Sequence, residues 1–335
     1  MRNDHPMLIS PEEFELAADN LRALALDERL KAQVMATPAL AMIAQRISQR
    51  YLAGDSIDSA FAQVAQITAR GHRSSIECVG ESIRDRHVAE AETGIFLRIA
   101  ERLKRSKTDT TLSFDLSHLG SAIDPELGLR NALRVARAAR EAGTYLMISA
   151  EGSDRTDLVL ELWEKLICDF PETGITLQAR LSRTSQDLVR VLELQAGPVR
   201  LVKGAFQEPL ETAMARNDPG LADRYAQLAG ALISSGRQTN IATHDARLIR
   251  RLKEEHGAAL LSPQVEFEML QGLGTQQLDG LREEGFTTRE YAVFGPEYWL
   301  YVLNRLAEEP QRIMLAVADL QRTHNAAQGS GMNAN

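Results

Sequence analysis

The chain has 335 residues, 44% of them apolar and 25% charged, enough for one large α/β domain or two smaller ones. Its 38 Lys and Arg against 46 Asp and Glu leave a net charge of −8, so no basic surplus points to nucleic acid. No apolar run approaches the length that spans a bilayer, the start MRNDHPMLIS lacks the apolar core of a secretory signal, and Cys78 and Cys168 are the only cysteines, so a reducing cytoplasm is expected.

The first 70 residues read as helical. Pro11-Glu12-Glu13 opens an Ala- and Leu-rich segment, and Thr37-Pro38 opens a second helix running to Tyr51. Asp55-Ser56 begins a third, through Ala69. Then the pattern changes to short runs of strand-forming residues at near-regular spacing: Ser74–Val79, Thr111–Leu116, Thr144–Ser149, Gly174–Leu181, Val199–Ala205, Thr239–Thr243, Val265–Leu270 and Thr288–Phe294. Stretches of helical periodicity lie between them, such as Leu127–Glu141, Asp157–Asp169 and Gly220–Ser235. Eight strand–helix units predict a (βα)8 barrel of the TIM type over residues 71–325, and no G-x-G-x-x-G follows the first strand to favour a dinucleotide fold. A C-terminal helix is expected at Glu297–Glu308, with Gln311–Arg322 able to follow it, and residues 326–335 read as a flexible tail.

In such a barrel chemistry belongs where strands end. Arg200, Lys203, Thr243, His244, Asp245 and Glu268 all fall in or just after strand runs, and a basic residue beside Gly204-Ala205 suits an anionic cofactor. Taken singly, each has a structural alternative: a rim charge for Arg200 or Lys203, a satisfied core histidine for His244, a tied-down loop for Gln178. No His, Cys or carboxylate spacing reads as a metal site, and no G-x-S-x-G elbow is present.

The ordered phrases VGE (Val79–Glu81), TLQA (Thr176–Ala179), RLVKGAF (Arg200–Phe206), ATHD (Ala242–Asp245), EFEMLQG (Glu266–Gly272) and YVLNRLAEEP (Tyr301–Pro310) resemble the proline dehydrogenase family over roughly Tyr51 to Leu320. That resemblance implies FAD in a (βα)8 barrel and oxidation of L-proline to pyrroline-5-carboxylate. It implies that Arg200 approaches the reactive edge of the flavin and stabilises electron density there. Gln178, Lys203, Gly204, Ala205, Thr243, His244 and the neighbouring Asp245 fall on the cofactor side by the same resemblance, as do Glu268, Met269 and Leu270, and Glu308 on the last helix. Tyr291 and Tyr301 match aromatic positions around the substrate, and the last helix would close as a lid over it.

The substrate half departs from the family. Asp115 stands where the resemblance expects a lysine near the substrate carboxylate, and Ser149, followed by a retained Ala150, where it expects that lysine's aspartate partner. Phe206 replaces a tyrosine, and Asn304-Arg305 replaces a pair of arginines. If these positions face one pocket, it is about two charges more negative than the family pattern. Two lost charged hydrogen bonds, at about 1.5–3 kcal/mol each, would weaken proline binding by roughly 10²- to 10⁴-fold. The expectation is therefore a related amine, an amino-acid derivative or a carrier-bound substrate, with Asp115 holding an ammonium or serving as base, Tyr291 shaping the wall and Arg305 holding a carbonyl or anion. Local drift, with another cation such as Arg180 restoring carboxylate binding, is the competing explanation. The acceptor of the electrons is left open among quinone, oxygen and a redox protein, as are a homo-oligomer and a location at the inner-membrane surface. A flavin-binding barrel without dehydrogenase activity, acting as redox sensor or assembly partner, is the alternative function.

Overall fold

The computed structural model describes residues 10–80, 83–106, 108–315 and 317–318. Glu81 of the VGE phrase, the end of the Gln311–Arg322 segment and the expected tail lie outside them. The chain forms two compact units, Asp55–Phe294, and Met1–Gly54 with Gly295–Asn335.

The larger unit is a closed barrel of eight parallel strands in sequential order, as the strand–helix alternation predicts. They are β1 (Arg73–Cys78), β2 (Thr110–Phe114), β3 (Leu146–Ile148), β4 (Gly174–Gln178), β5 (Val199–Val202), β6 (Thr239–Ala242), β7 (Val265–Leu270) and β8 (Thr287–Phe294). Closure comes from β1 on β8, where Ser75 lies opposite Tyr291 and Glu77 opposite Val293. A helix, α4 (Ile57–Ala69), precedes the barrel and packs on β1 and β8. Its N-cap Ser56 accepts from the Ser59 amide at 3.2 Å, which fixes the start at Asp55-Ser56.

The connecting helices bury one stripe each. In α5 (Arg86–Ser106) Ala89, Thr93, Phe96, Ile99, Ala100 and Leu103 recur at three- and four-residue steps, and in α6 (Pro125–Glu141) Leu127, Asn131, Val135 and Ala139 do the same. Two polar tips tie helices to strands: Trp163 of α7 (Thr156–Asp169) donates to the Thr173 carbonyl at 3.0 Å, and Tyr225 of α9 (Leu221–Ser235) to that of Leu201 at 2.7 Å. The remaining helices of this unit are α8 (Thr184–Glu193), α10 (Ala246–His256) and α11 (Thr275–Glu283).

Strands β3 and β5 are shorter than their apolar runs. The Ser149 amide still bonds the Phe114 carbonyl at 3.0 Å and the Arg180 amide that of Lys203 at 3.0 Å, so pairing outlasts regular strand geometry by a residue or two. Gly204, at φ +110°, then turns the chain out of β5.

The smaller unit holds α1 (Pro11–Ala25), α2 (Glu28–Ala36), α3 (Pro38–Ser48) and α12 (Trp299–Glu308). A capping box of Ser10 with Glu13 starts α1. Trp299 donates to the Leu24 carbonyl at 3.0 Å and Lys31 pairs with Glu297 at 2.7 Å, fastening α12 to the first two helices. Among the described residues no helix is long and apolar enough to cross a membrane.

Candidate active site

Successive strand residues alternate between the helices and the lumen, so inward residues recur every second position. In most barrels that lumen is apolar. Here it is built of charged layers.

The lowest layer joins Arg289 of β8 to Glu266 of β7, Nε to Oε1 at 2.5 Å, with both side chains 1% exposed. Arg289 Nη1 also donates to Thr111 Oγ1 at 2.9 Å and to the Ser74 carbonyl, while Arg73 reaches Glu266 at 3.0 Å. Burial alone pushes the Glu266 carboxyl up, but Arg289 and Arg73 outweigh it and hold the group below the ordinary carboxylate range.

One level up, Arg200 of β5 donates through Nε to Glu268 at 3.1 Å, through Nη2 to Ser113 at 2.8 Å and through Nη1 to Thr176 at 3.4 Å. Glu268 receives Asn240 Nδ2 at 2.8 Å and Ser75 Oγ at 3.0 Å besides. Burial disfavours the guanidinium, yet Glu268, Tyr291 and Glu77 more than offset it, so Arg200 is a fixed cation. Its guanidinium stacks on the Tyr291 ring, 4.7 Å from the centroid.

The third layer lies at the strands' C-terminal ends. Glu77 of β1 accepts from Tyr291 OH and, at 3.2 Å, from Ser149 Oγ just beyond β3. Enclosure raises the Glu77 carboxyl, although Tyr291 and Arg200 act the other way. Enclosure likewise raises the Tyr291 phenol well above its usual value. Glu77 and Ser149 are half-buried, as are Asp115 after β2 and Ala150 after Ser149. Thus Tyr291, Ser149 and Arg200, named from the sequence, meet in one cluster. Glu77, Ser75, Ser113 and Asn240 belong to it and escape sequence reasoning. A signal for Glu77 lies in β1 itself: Ser75-x-Glu77 puts a carboxylate on the inward face, between Ile76 and Cys78.

The flanking loops hold the other candidates. Gln178 donates Nε2 to the Glu151 carbonyl at 2.8 Å, while its buried Oε1 has no partner. A Cβ on Gly204 would come within 2.7 Å of Arg180 Cγ and 3.0 Å of Gln178 Oε1, so only glycine fits. Arg180 itself donates to the carbonyls of Met214 at 2.9 Å and Phe206 at 2.7 Å, bracing the segment after β5. Lys203 pairs with Asp245 at 2.6 Å, and Asp245 caps α10 by accepting from the Arg247 and Leu248 amides. Burial raises the Asp245 carboxyl, but Lys203 and these two amides outweigh it and leave it lowered. Thr243 Oγ1 accepts from the Asp245 amide at 3.2 Å, and His244 Nε2 from the Leu270 amide at 3.0 Å. Met269, beside Leu270, is 1% exposed, and Ala205 is exposed.

Tyr301, Asn304, Arg305 and Glu308 ride on α12 in the smaller unit. There Arg305 pairs with Glu308 at 2.7 Å and stacks over Tyr301 at 5.4 Å. Both cysteines are free thiols, and burial pushes that of Cys78 up to about 12. Among the described residues no three His, Cys, Asp or Glu side chains are grouped to hold a metal.

The family model for proline dehydrogenase matches residues 60–312. This chain belongs to the proline dehydrogenase family. It is 29% identical to proline dehydrogenase of Deinococcus radiodurans over 282 residues, 81% of this chain and 89% of the relative. It is 28% identical to proline dehydrogenase 1 of Bacillus subtilis subsp. natto over 267 residues, 78% of this chain and 87% of that one. The fold matches proline utilization A from Bdellovibrio bacteriovorus, solved after inactivation by N-propargylglycine, at TM-score 0.73 and 19% identity. That match covers 88% of this chain and 36% of the longer protein, so the chain spans about a third of it. Family membership makes the protein an oxidoreductase acting on a CH–NH group.

Proposed function

We propose that this enzyme uses FAD to oxidise the C–N bond of a proline-like secondary amine whose carboxylate is absent or masked. The observation that carries the substrate half is the charge around the upper lumen. The cations within the barrel that could meet a carboxylate are already committed: Arg200 to Glu268, Lys203 to Asp245, Arg180 to two backbone carbonyls. The half-buried side chains at the ends of β1 and β2 are the carboxylates Glu77 and Asp115. Such a mouth attracts an ammonium and repels a free carboxylate.

The residues present suit a flavin. Gln178 offers a buried carbonyl oxygen without a partner, and Gly204 keeps Gln178 and Arg180 in place, because any side chain there would collide with them. Arg200, Lys203, Thr243, His244 and Asp245 would hold the group, with Glu268 holding Arg200 and the adjoining Met269 and Leu270 framing β7's end. When bound, the flavin supplies a two-electron acceptor for the hydride at the substrate carbon. Arg200 supplies a permanent positive charge for the electron density that arrives, already oriented by three hydrogen-bond acceptors. Tyr291 gives the substrate ring an aromatic wall beside the Arg200 guanidinium. The acceptor that would take the electrons onward is a quinone, oxygen or a redox protein.

Anaerobic titration of the purified yellow protein tests this. Bleaching by cyclic amines or carboxyl-masked proline derivatives is expected. Full flavin content with no bleaching by proline or any of these amines, while dithionite still reduces it, would instead mark a flavin-binding barrel without dehydrogenase activity. Gly204→Ala is a second check. The added methyl would displace Arg180 and the unpartnered Gln178 carbonyl oxygen, and loss of one hydrogen bond to the cofactor, about 1–1.5 kcal/mol, should lower flavin affinity about tenfold. Unchanged flavin content would remove Gly204 from the cofactor site.

A further inference from the structure

We propose that Glu77 is the residue that seats the substrate nitrogen, binding its ammonium and taking one proton from it before the hydride leaves. The inference rests on the amine-oxidising reading above and deepens it. Three carboxylates, Glu77, Glu268 and Asp115, lie along the upper lumen and its mouth, and the two that face Arg200 and Tyr291 differ in their surroundings. Glu268 is 2% exposed and engaged by Arg200, Asn240 and Ser75, so it has no capacity for a ligand. Glu77 is half-buried, and its hydrogen-bond partners are two hydroxyls, Tyr291 and Ser149. No cationic side chain among the described residues lies within ion-pair distance of it. A carboxylate so placed, unpaired yet held from two strands, is the counterpart of a cation that arrives from outside.

Tyr291 gives the placement its direction. One face of its ring carries the Arg200 guanidinium, and its hydroxyl holds Glu77. An amine docked on Glu77 is thereby set beside the Arg200–Tyr291 stack, where the flavin's reactive edge is expected. The chemistry balances. An N–H bond of the ammonium breaks, its proton passes to a Glu77 oxygen, and the nitrogen regains its lone pair. That pair then forms the C=N bond as the neighbouring carbon gives up hydride, with two electrons, to the flavin. Glu77 leaves the cycle by releasing the proton to water.

The test compares the holoenzyme with Glu77→Gln, whose amide still accepts from Tyr291 and Ser149. Pyrrolidine and tetrahydrofuran share ring size and differ in the cationic nitrogen. Their dissociation constants are measured on dithionite-reduced protein, in which turnover cannot occur. Wild type should prefer pyrrolidine at least about tenfold, and Glu77→Gln should abolish most of that preference while leaving tetrahydrofuran unchanged. The rate of flavin reduction by pyrrolidine should rise with pH in wild type and lose that limb in the variant. The charged and titratable groups facing Glu77 are Tyr291 from β8, Arg200 from β5 and His118 from the segment after β2; a limb unchanged in Glu77→Gln would overturn Glu77 as the proton acceptor.

Because enclosure raises the Glu77 carboxyl, its stabilising share is present at low pH and lost as pH rises through the raised value. Glu77→Gln should therefore melt no lower than wild type at pH 8. An unchanged preference in the variant, no preference in wild type, or equal loss of both ligands would overturn the proposal. A wild type that oxidises free proline as fast as masked derivatives would overturn the substrate class above and leave Glu77 standing, because both substrates carry the same ring nitrogen.

Discussion

Replacing Arg200 with glutamine is expected to slow flavin reduction by about 10²- to 10³-fold, the usual cost of removing one donor aimed at developing charge. The same change should also weaken the fold, because it strands Glu268. That carboxylate is 2% exposed, and the lost guanidinium is its only ion-pair partner among the described residues. Breaking a buried pair from one side costs about 3–5 kcal/mol. The two losses separate in a double variant. Arg200→Gln with Glu268→Gln removes both charges, and Asn240 and Ser75 can still bond the new amide. Most of the stability should return, while flavin reduction stays slow. Stopped-flow reduction beside thermal unfolding reads both. If activity returned along with stability, Arg200 would be a structural counter-ion and its catalytic role would fall.

The second large effect lies one layer lower and should leave the chemistry alone. Glu266→Gln removes the buried partner of Arg289, which is 1% exposed and keeps Thr111 Oγ1, the Ser74 carbonyl and a long 3.7 Å contact to the exposed Asp109. A loss of about 3–5 kcal/mol follows, or roughly 6–20 °C in melting midpoint for a barrel of this size. Wild type should show the same dependence through pH. The folded Glu266 carboxyl titrates below its unfolded value, so its contribution is complete above the ordinary carboxylate range. It is lost as pH falls through the depressed value. Stability of the variant should therefore depend less on pH at the acidic end than that of wild type. A melting midpoint within 2 °C of wild type at neutral pH, about 4 °C short of the smallest shift expected, would mean the barrel floor repacks around Arg289.

Much of the architecture is legible in the sequence because it rests on local signals. The eight strands follow from short apolar runs broken by Gly and helical stretches, and α4 begins where Asp55-Ser56 can cap it. Strand ends are harder to read. The sequence runs read as strands extend to Leu181 and Ala205, beyond regular β4 and β5, and the positive φ of Gly204 marks the turn out of β5. Family-like phrases located Arg200, Tyr291 and the loop residues near Gln178 and Asp245. They could not locate the partners. Glu77 meets Tyr291 across 214 positions of sequence and Arg200 meets Ser113 across 87, and both contacts exist only because β1 closes on β8. A polar lumen of this kind is invisible to periodicity, which registers Glu77, Glu266 and Glu268 merely as interruptions in apolar strands. Arg180 illustrates the converse. At the end of β4 it resembles a spare cation, yet its guanidinium braces the chain after β5.

The central claim is that a family built to oxidise proline has here an acidic mouth suited to an amine without a free carboxylate. The most direct measurement is the anaerobic rate constant of flavin reduction by L-prolinamide and by L-proline, each at concentrations well below saturation. The two differ at the carboxyl carbon alone. The account predicts that the amide is the better substrate by at least about tenfold, as charge repulsion and two missing charged hydrogen bonds require. Equal rates, or faster reduction by L-proline, would contradict it and show that the carboxylate is still gripped.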